Sequence, residues 1–225
     1  MDDEKTGAVI AAAGASERMA GLDKLFQPVN GRPILARVLD CMQGCAVIDA
    51  IVVVLAETNA SHFERMRNGE DWSKISSICS GGIRRQDSVK AGLDLLAGCR
   101  WVVIHDGARP LITTSLIERG VAEAKVHGAA IAAVPVKETI KRTSPEGFVL
   151  ETPVREGLWT IQTPQVFDYE LIRRAHQLVS EDVTDDAAMI EKLGHPVKLY
   201  PGSYENIKVT TPEDLVMAEA ILRNR

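Results

Sequence analysis

Aromatic residues make up only 4% of the 225-residue chain, too few to build stacking platforms for single-stranded nucleic acid. No apolar run approaches the ~20 residues of a membrane span. The acidic opening Met1-Asp2-Asp3-Glu4, followed by a short alanine-rich stretch, does not read as a signal peptide. Cysteine is sparse as well. Cys41, Cys45, Cys79 and Cys99 form no C-x-x-C pair and have no histidine at zinc-ligand spacing, so they read as reduced thiols of a cytoplasmic protein. Cations are outnumbered 26 to 31, a net charge of −5, which argues against DNA or an acidic membrane as partner. An anionic ligand must therefore meet a local cluster of cations. What is present is ordinary: 45% hydrophobic and 25% charged residues, the balance of a soluble globular domain. The length supports a full core, and residues 1–225 are expected to form a single domain.

Short β-branched runs predict strands at residues 7–12, 51–55, 101–105, 130–136 and 197–199. Amphipathic stretches predict helices at 33–42, 60–68, 85–96, 115–127, 169–180, 185–193 and 212–222. The last is the best marked, with Thr211 as N-cap, Pro212 at the first position and Glu213 and Asp214 in the first turn. Strand followed by helix, repeated, implies an α/β fold with a mainly parallel sheet flanked by helices. Ligands of such sheets bind beyond the carboxyl ends of the strands. Residues 137–153 break the rhythm: two short extended runs flank Ser144-Pro145-Glu146-Gly147, which predicts an inserted β-hairpin. An isolated hairpin is marginal in water, so this arm should pack on something, most simply a second copy of the chain.

The first strand runs into Ala11-Ala12-Ala13-Gly14-Ala15-Ser16-Glu17-Arg18-Met19, with Lys24 close behind. Small residues let backbone amides approach phosphate oxygens. The loop is neither G-x-G-x-x-G nor Walker A, because Ala15, Ser16 and Glu17 follow Gly14 and no Gly-Lys-Ser/Thr comes after. Arg18 and Lys24 set it apart: two cations beside such a loop can neutralise charge that develops in phosphoryl or nucleotidyl transfer.

This loop resembles the signature of sugar-nucleotide-type nucleotidyltransferases. Further motifs narrow the likeness to the cytidylyltransferases that make 4-diphosphocytidyl-2-C-methyl-D-erythritol. They are Gly81-Gly82-Ile83-Arg84-Arg85-Gln86-Asp87-Ser88-Val89, then Val103-Ile104-His105-Asp106-Gly107-Ala108-Arg109-Pro110, then Arg155 with Gly157-Leu158-Trp159 and Gln162-Thr163-Pro164-Gln165-Val166-Phe167. Thr184-Asp185-Asp186 and Asn206-Ile207-Lys208-Val209-Thr210 complete the set. The resemblance implies a Rossmann-like fold, CTP as co-substrate and a polyol phosphate as acceptor. It implies that Ala12, Ala13, Gly14, Gly81, Gly82, Ser88 and Gly107 cradle the nucleotide. It assigns Arg155 and Lys208, helped by Thr139, Thr163 and Thr184, to the acceptor phosphate, counts Asp106 and Arg109 among the substrate-binding residues, and makes the arm a homodimer contact that carries Thr139 and Arg155 into a shared site. Ile83 stands where the family is familiar with an acidic residue, so contact with base or ribose there must run through the backbone.

Asp106 ends a predicted parallel strand, where a carboxylate can hold Mg²⁺ against triphosphate oxygens. His105 points to the opposite face and reads as a satisfied, partly buried histidine rather than a general base. No base is needed, since a phosphate monoester with a second pKa of about 6 is already largely dianionic at neutral pH. Arg18, Lys24, Arg155 and Lys208 are the candidate catalytic cations. Two other readings stay open: a ribitol-5-phosphate cytidylyltransferase with the same CTP site, and a nucleotide-binding regulator without catalysis.

Overall fold

The computed structural model describes residues 4–14 and 24–225. Arg18 lies outside the described residues. In chain order the strands are β1 (Thr6–Ala12), β2 (Pro28–Val29), β3 (Arg32–Pro33), β4 (Ala50–Leu55), β5 (Ile75–Ser80), β6 (Trp101–Asp106), β7 (Ala129–Pro135), β8 (Arg142–Thr143), β9 (Val149–Glu151), β10 (Trp159–Asp168) and β11 (Lys198–Pro201). The helices are α1 (Ile34–Gly44), α2 (Ala60–Arg67), α3 (Arg85–Leu93), α4 (Thr114–His127), α5 (Tyr169–Leu178), α6 (Asp186–Lys192) and α7 (Pro212–Arg223). Seven strands form one sheet in the order β11-β7-β10-β6-β1-β4-β5. All neighbours are parallel except β10, which runs antiparallel to both β6 and β7.

Period-two alternation divides the core between the two faces. Ala8, Ile10, Ile51, Val53 and Val103 pack under α1 and α4, while Val9, Val52, Val54, Val102 and Ile104 pack under α3, α5 and α6. With both faces covered, central strands such as β4 and β6 consist of nearly continuous apolar residues. This arrangement is the expected mainly parallel, Rossmann-like sheet flanked by helices. Two of its strands are additions to the sequence reading. β5 is an edge strand paired only with β4, and Ser76, Ser77 and Ser80 break its apolar pattern. β10 contains Pro164, which cannot donate to a ladder, and the register shifts between Ile161 and Gln165 to accommodate it.

Helix ends follow the capping chemistry. Thr211 and Asp214 form a capping box on α7 with Pro212 in its first turn. Thr113 accepts the Leu116 N–H at 3.3 Å to start α4. The expected hairpin is present: β8 and β9 pair antiparallel across a turn in which Gly147 takes φ +89°. The hairpin and the segment after it leave Phe148, Val149, Leu150 and Val154 exposed. Among the described residues, no helix is long and apolar enough to cross a membrane.

Candidate active site

The loops that follow β1, β5 and β6 enclose a cavity of about 380 Å³. Ala12, Ala13 and Gly14 supply one wall, Gly82 and Ser88 another, and Lys24, Arg84, Arg85, Asp106 and Lys208 its charges. The glycines are required by close approach. A Cβ on Gly81 would collide with the Cβ of Ala13 and come within 2.7 Å of Ser88 Oγ, and one on Gly82 would collide with Asp87. The Gly82 N–H donates to Ser88 Oγ at 3.1 Å, which closes the turn onto the start of α3. Gly81 and Gly107 thus support the wall from behind; the Gly107 N–H donates to Ala11 O at 2.9 Å. The Ile83 side chain is fully exposed at the rim.

A second cavity, about 280 Å³, adjoins the first and is lined by Arg109, Thr163, Gln165, Thr184 and Asp185. Arg85, Asp106 and Lys208 line both cavities and form the wall between them. A third hollow of about 350 Å³ extends from Arg109 and Lys208 toward Lys137 and Tyr204.

Asp106 is the centre of this wall. It is 6% exposed, and three cations surround it: Lys208 Nζ at 2.9 Å and Arg109 Nε at 3.3 Å from Oδ2, and Arg85 Nε at 3.4 Å from Oδ1. Burial alone would raise its pKa, but Lys208, Arg85 and Arg109 together hold it well below the usual carboxylate range. The cations are themselves fixed. Arg109 Nη1 donates to Asn206 O at 2.8 Å. Fully buried Asn206 donates to Thr163 O at 2.8 Å, and the Val209 N–H donates to Ala108 O at 2.8 Å, so Lys208 sits between two anchored residues.

Both oxygens of Asp106 face cations, so this carboxylate does not fit the role of a protein ligand for Mg²⁺. Among the described residues, no group of three or more His, Cys, Asp or Glu could hold a metal ion.

Thr163 lines the second cavity, yet its hydroxyl is committed inward: it accepts the Asp106 N–H at 3.1 Å and shares a hydrogen bond of 3.0 Å with His105 Nδ1. Thr163 therefore positions Asp106 and His105, and its hydroxyl is not turned to an acceptor as the resemblance implied. His105 is wholly buried, and its Nε2 lies 3.3 Å from Arg109 O. Burial pushes its pKa down to about 3, against the opposing pull of Asp106.

A neutral buried histidine makes stability depend on pH. Between the unfolded value of 6.5 and the folded value of about 3, the unfolded chain binds a proton that the folded chain does not. His105 therefore stabilises the fold above pH 6.5, and that contribution falls by about 1.4 kcal/mol per pH unit on acidification. Urea unfolding at pH 7, 6 and 5 should show a steeper loss in the wild type than in His105→Gln; equal slopes would refute this account.

Of the residues singled out from sequence, the structure brings Ala12, Ala13, Gly14, Lys24, Gly82, Ser88, Asp106 and Lys208 around the first cavity, and Arg109, Thr163 and Thr184 around the second. Thr139 and Arg155 line neither. Both are exposed beside the hairpin, and Arg155 Nη1 donates to Lys137 O at 2.6 Å. Arg85, to which sequence reasoning gave no role, is at the centre.

Comparison with known proteins agrees with this geometry. Residues 6–224 match the family model for IspD, 2-C-methyl-D-erythritol 4-phosphate cytidylyltransferase. The chain is 50% identical over 221 residues to the 2-C-methyl-D-erythritol 4-phosphate cytidylyltransferase of Dehalococcoides mccartyi, covering 98% of this chain and 97% of the relative. It is 47% identical over 224 residues to that of Desulforamulus reducens, covering 97% and 96%. The crystal structure of 4-diphosphocytidyl-2C-methyl-D-erythritol synthase from Anaerococcus prevotii superposes with a TM-score of 0.87 at 31% identity, over 98% of this chain and 96% of that one. With a shared fold and a match over nearly its whole length, the chain belongs to the 2-C-methyl-D-erythritol 4-phosphate cytidylyltransferase family.

Proposed function

We propose that the chain is a nucleotidyltransferase of isoprenoid biosynthesis that joins CTP to 2-C-methyl-D-erythritol 4-phosphate, forming 4-diphosphocytidyl-2-C-methyl-D-erythritol and pyrophosphate. The observation that carries this reading is the pair of adjoining cavities with a shared wall of Arg85, Asp106 and Lys208. CTP occupies the first cavity, its phosphates on the backbone of Ala12 to Gly14 and its base and ribose against Gly82 and Ser88. The acceptor occupies the second, its phosphate toward Arg109 and Lys208 and its hydroxyls toward Thr184. An oxygen of the dianionic acceptor phosphate attacks the α-phosphorus, the bond to the β-bridging oxygen breaks, and pyrophosphate carries away the electron pair. The protein supplies position and positive charge rather than a base. A divalent ion such as Mg²⁺ would travel with the triphosphate, which is its common mode of binding.

The hairpin supports a homodimer. Its apolar side chains Phe148, Val149 and Leu150 are exposed in one chain, and a hairpin of this size needs a packing partner. Residues 137–153 are thus a dimerisation arm on a single domain, and Thr139 and Arg155 serve the neighbouring chain's acceptor. Light scattering at assay concentration should return twice the 24.5 kDa chain mass; a fully active monomer would exclude the shared site. The four cysteines are free, which supports a reducing cytoplasm as the compartment.

Pyrophosphate release from CTP, assayed with each polyol phosphate in turn, tests the activity. Release with 2-C-methyl-D-erythritol 4-phosphate supports it. Release only with ribitol 5-phosphate reassigns the acceptor, and tight CTP binding without release for any acceptor makes the chain a regulator.

A further inference from the structure

We propose that Arg85 is a positioning residue for the transfer, clamped from below by buried Asp186 and setting the Asp106 carboxylate at the wall between the two cavities. The inference rests on the transferase reading given above. Arg85 stands at the first position of α3, and its fork spans two carboxylates from distant parts of the chain: Nη1 lies 2.6 Å from Asp186 Oδ2, and Nε 3.4 Å from Asp106 Oδ1.

Asp186 is completely buried, and Arg85 is the one side chain that hydrogen-bonds it among the described residues. Its Oδ1 makes no hydrogen bond, and the nearest basic group on that side, buried His176 Nε2, is 3.7 Å away and also makes none. A buried ion pair of this kind adds little net stability compared with apolar residues of the same volume. What it does is fix the guanidinium in place. Among the described residues, Asp106 Oδ1 then has a single rigid partner, which leaves Oδ2 to Lys208 and Arg109, the cations that line the acceptor cavity. Lysine does not reproduce this, because its three donors radiate from one nitrogen on a flexible stem, without the separated Nε and Nη1 of a rigid planar fork.

The test compares Arg85→Lys and Asp186→Asn with the wild type, reading kcat, KM for each substrate, the CTP dissociation constant by calorimetry, and the melting temperature. A positioning role predicts that kcat falls by about 10²-fold in Arg85→Lys, as for reacting groups misplaced by about 1 Å. The fall should be at least about tenfold in Asp186→Asn, with CTP affinity changed by less than about threefold in both. If either variant does not fold, the double variant Arg85→Met with Asp186→Leu replaces the buried pair by apolar volume and should show the same fall in kcat with unchanged CTP affinity. Turnover within about twofold of wild type in a folded variant overturns the inference. So does a fall in kcat matched by an equal loss of CTP affinity, which would mark a structural role. A wild-type chain that releases no pyrophosphate overturns the transferase reading and this inference together, whereas an active wild type with an undiminished Arg85→Lys variant overturns this inference alone.

Discussion

Replacing Lys208 by methionine is expected to lower turnover by about 10²- to 10³-fold, the cost of removing one preorganised charge donor, while the chain stays folded. Lys208 lines all three adjoining hollows, so its ammonium can meet both the α-phosphate and the acceptor phosphate. Its Nζ is 2.9 Å from Asp106 Oδ2, and its side chain is 40% exposed. The backbone around it does not depend on that side chain, because Asn206 and Val209 are held by their own hydrogen bonds to Thr163 and Ala108. Asp106 would keep Arg85 and Arg109 as partners. Methionine preserves the length of the stem, so the change isolates the charge. Lys208→Arg should recover part of the loss, since a cation is restored with different reach. Steady-state pyrophosphate release, with circular dichroism to confirm folding, decides the matter. A folded Lys208→Met chain that turns over within about threefold of wild type would remove Lys208 from the reaction.

How much of this site could be read before the fold was known depends on where each residue's partner lies. The glycine turn at Gly81-Gly82 and the small residues Ala12 to Gly14 are legible because the constraint is local: backbone must approach closely, and only small residues permit it. β1, β4, β6 and β7 are legible to within a residue or so because a strand buried on both faces must be apolar throughout. β5 and β10 fail the same test, the first because its edge position admits serines and the second because Pro164 interrupts it. Arg85 is the instructive miss. In Arg84-Arg85-Gln86-Asp87 nothing local separates the two arginines. Arg84 bonds Asp87 three residues on and stays at the surface. Arg85 is turned inward by Asp186, 101 positions away. Thr163 shows the converse: its residue type suits a polyol, but His105 and the Asp106 amide claim its hydroxyl.

Lys24→Ala is expected to lower turnover by about 10²-fold or more with the fold intact, as for loss of a donor aimed at developing charge. Lys24 lines the nucleotide cavity together with Ala12 to Gly14, and the β- and γ-phosphates of CTP would lie beside it if the α-phosphate faces Lys208. It begins a short 3₁₀ turn, Lys24–Phe26, whose next two residues, Leu25 and Phe26, are buried, with Phe26 stacked on His62 at 3.9 Å. The Gln27 N–H closes the turn onto Lys24 O at 3.1 Å. These contacts belong to the backbone and apolar side chains of the turn, and circular dichroism of the alanine variant checks that the fold is kept. The charge itself acts when pyrophosphate departs, because negative charge then grows on the bridging oxygen and a cation already in place costs no reorganisation. This role is distinct from that of Lys208, which faces both substrates. Lys24→Ala should therefore weaken CTP binding as well as kcat, and leave the KM for the acceptor within about threefold of wild type. Arg18, the partner cation that the family resemblance supplies, should behave in the same way on substitution by alanine. If either alanine variant, shown to be folded, keeps near wild-type turnover at saturating CTP, that cation is not part of the leaving-group charge, and the assignment to the loop after β1 fails.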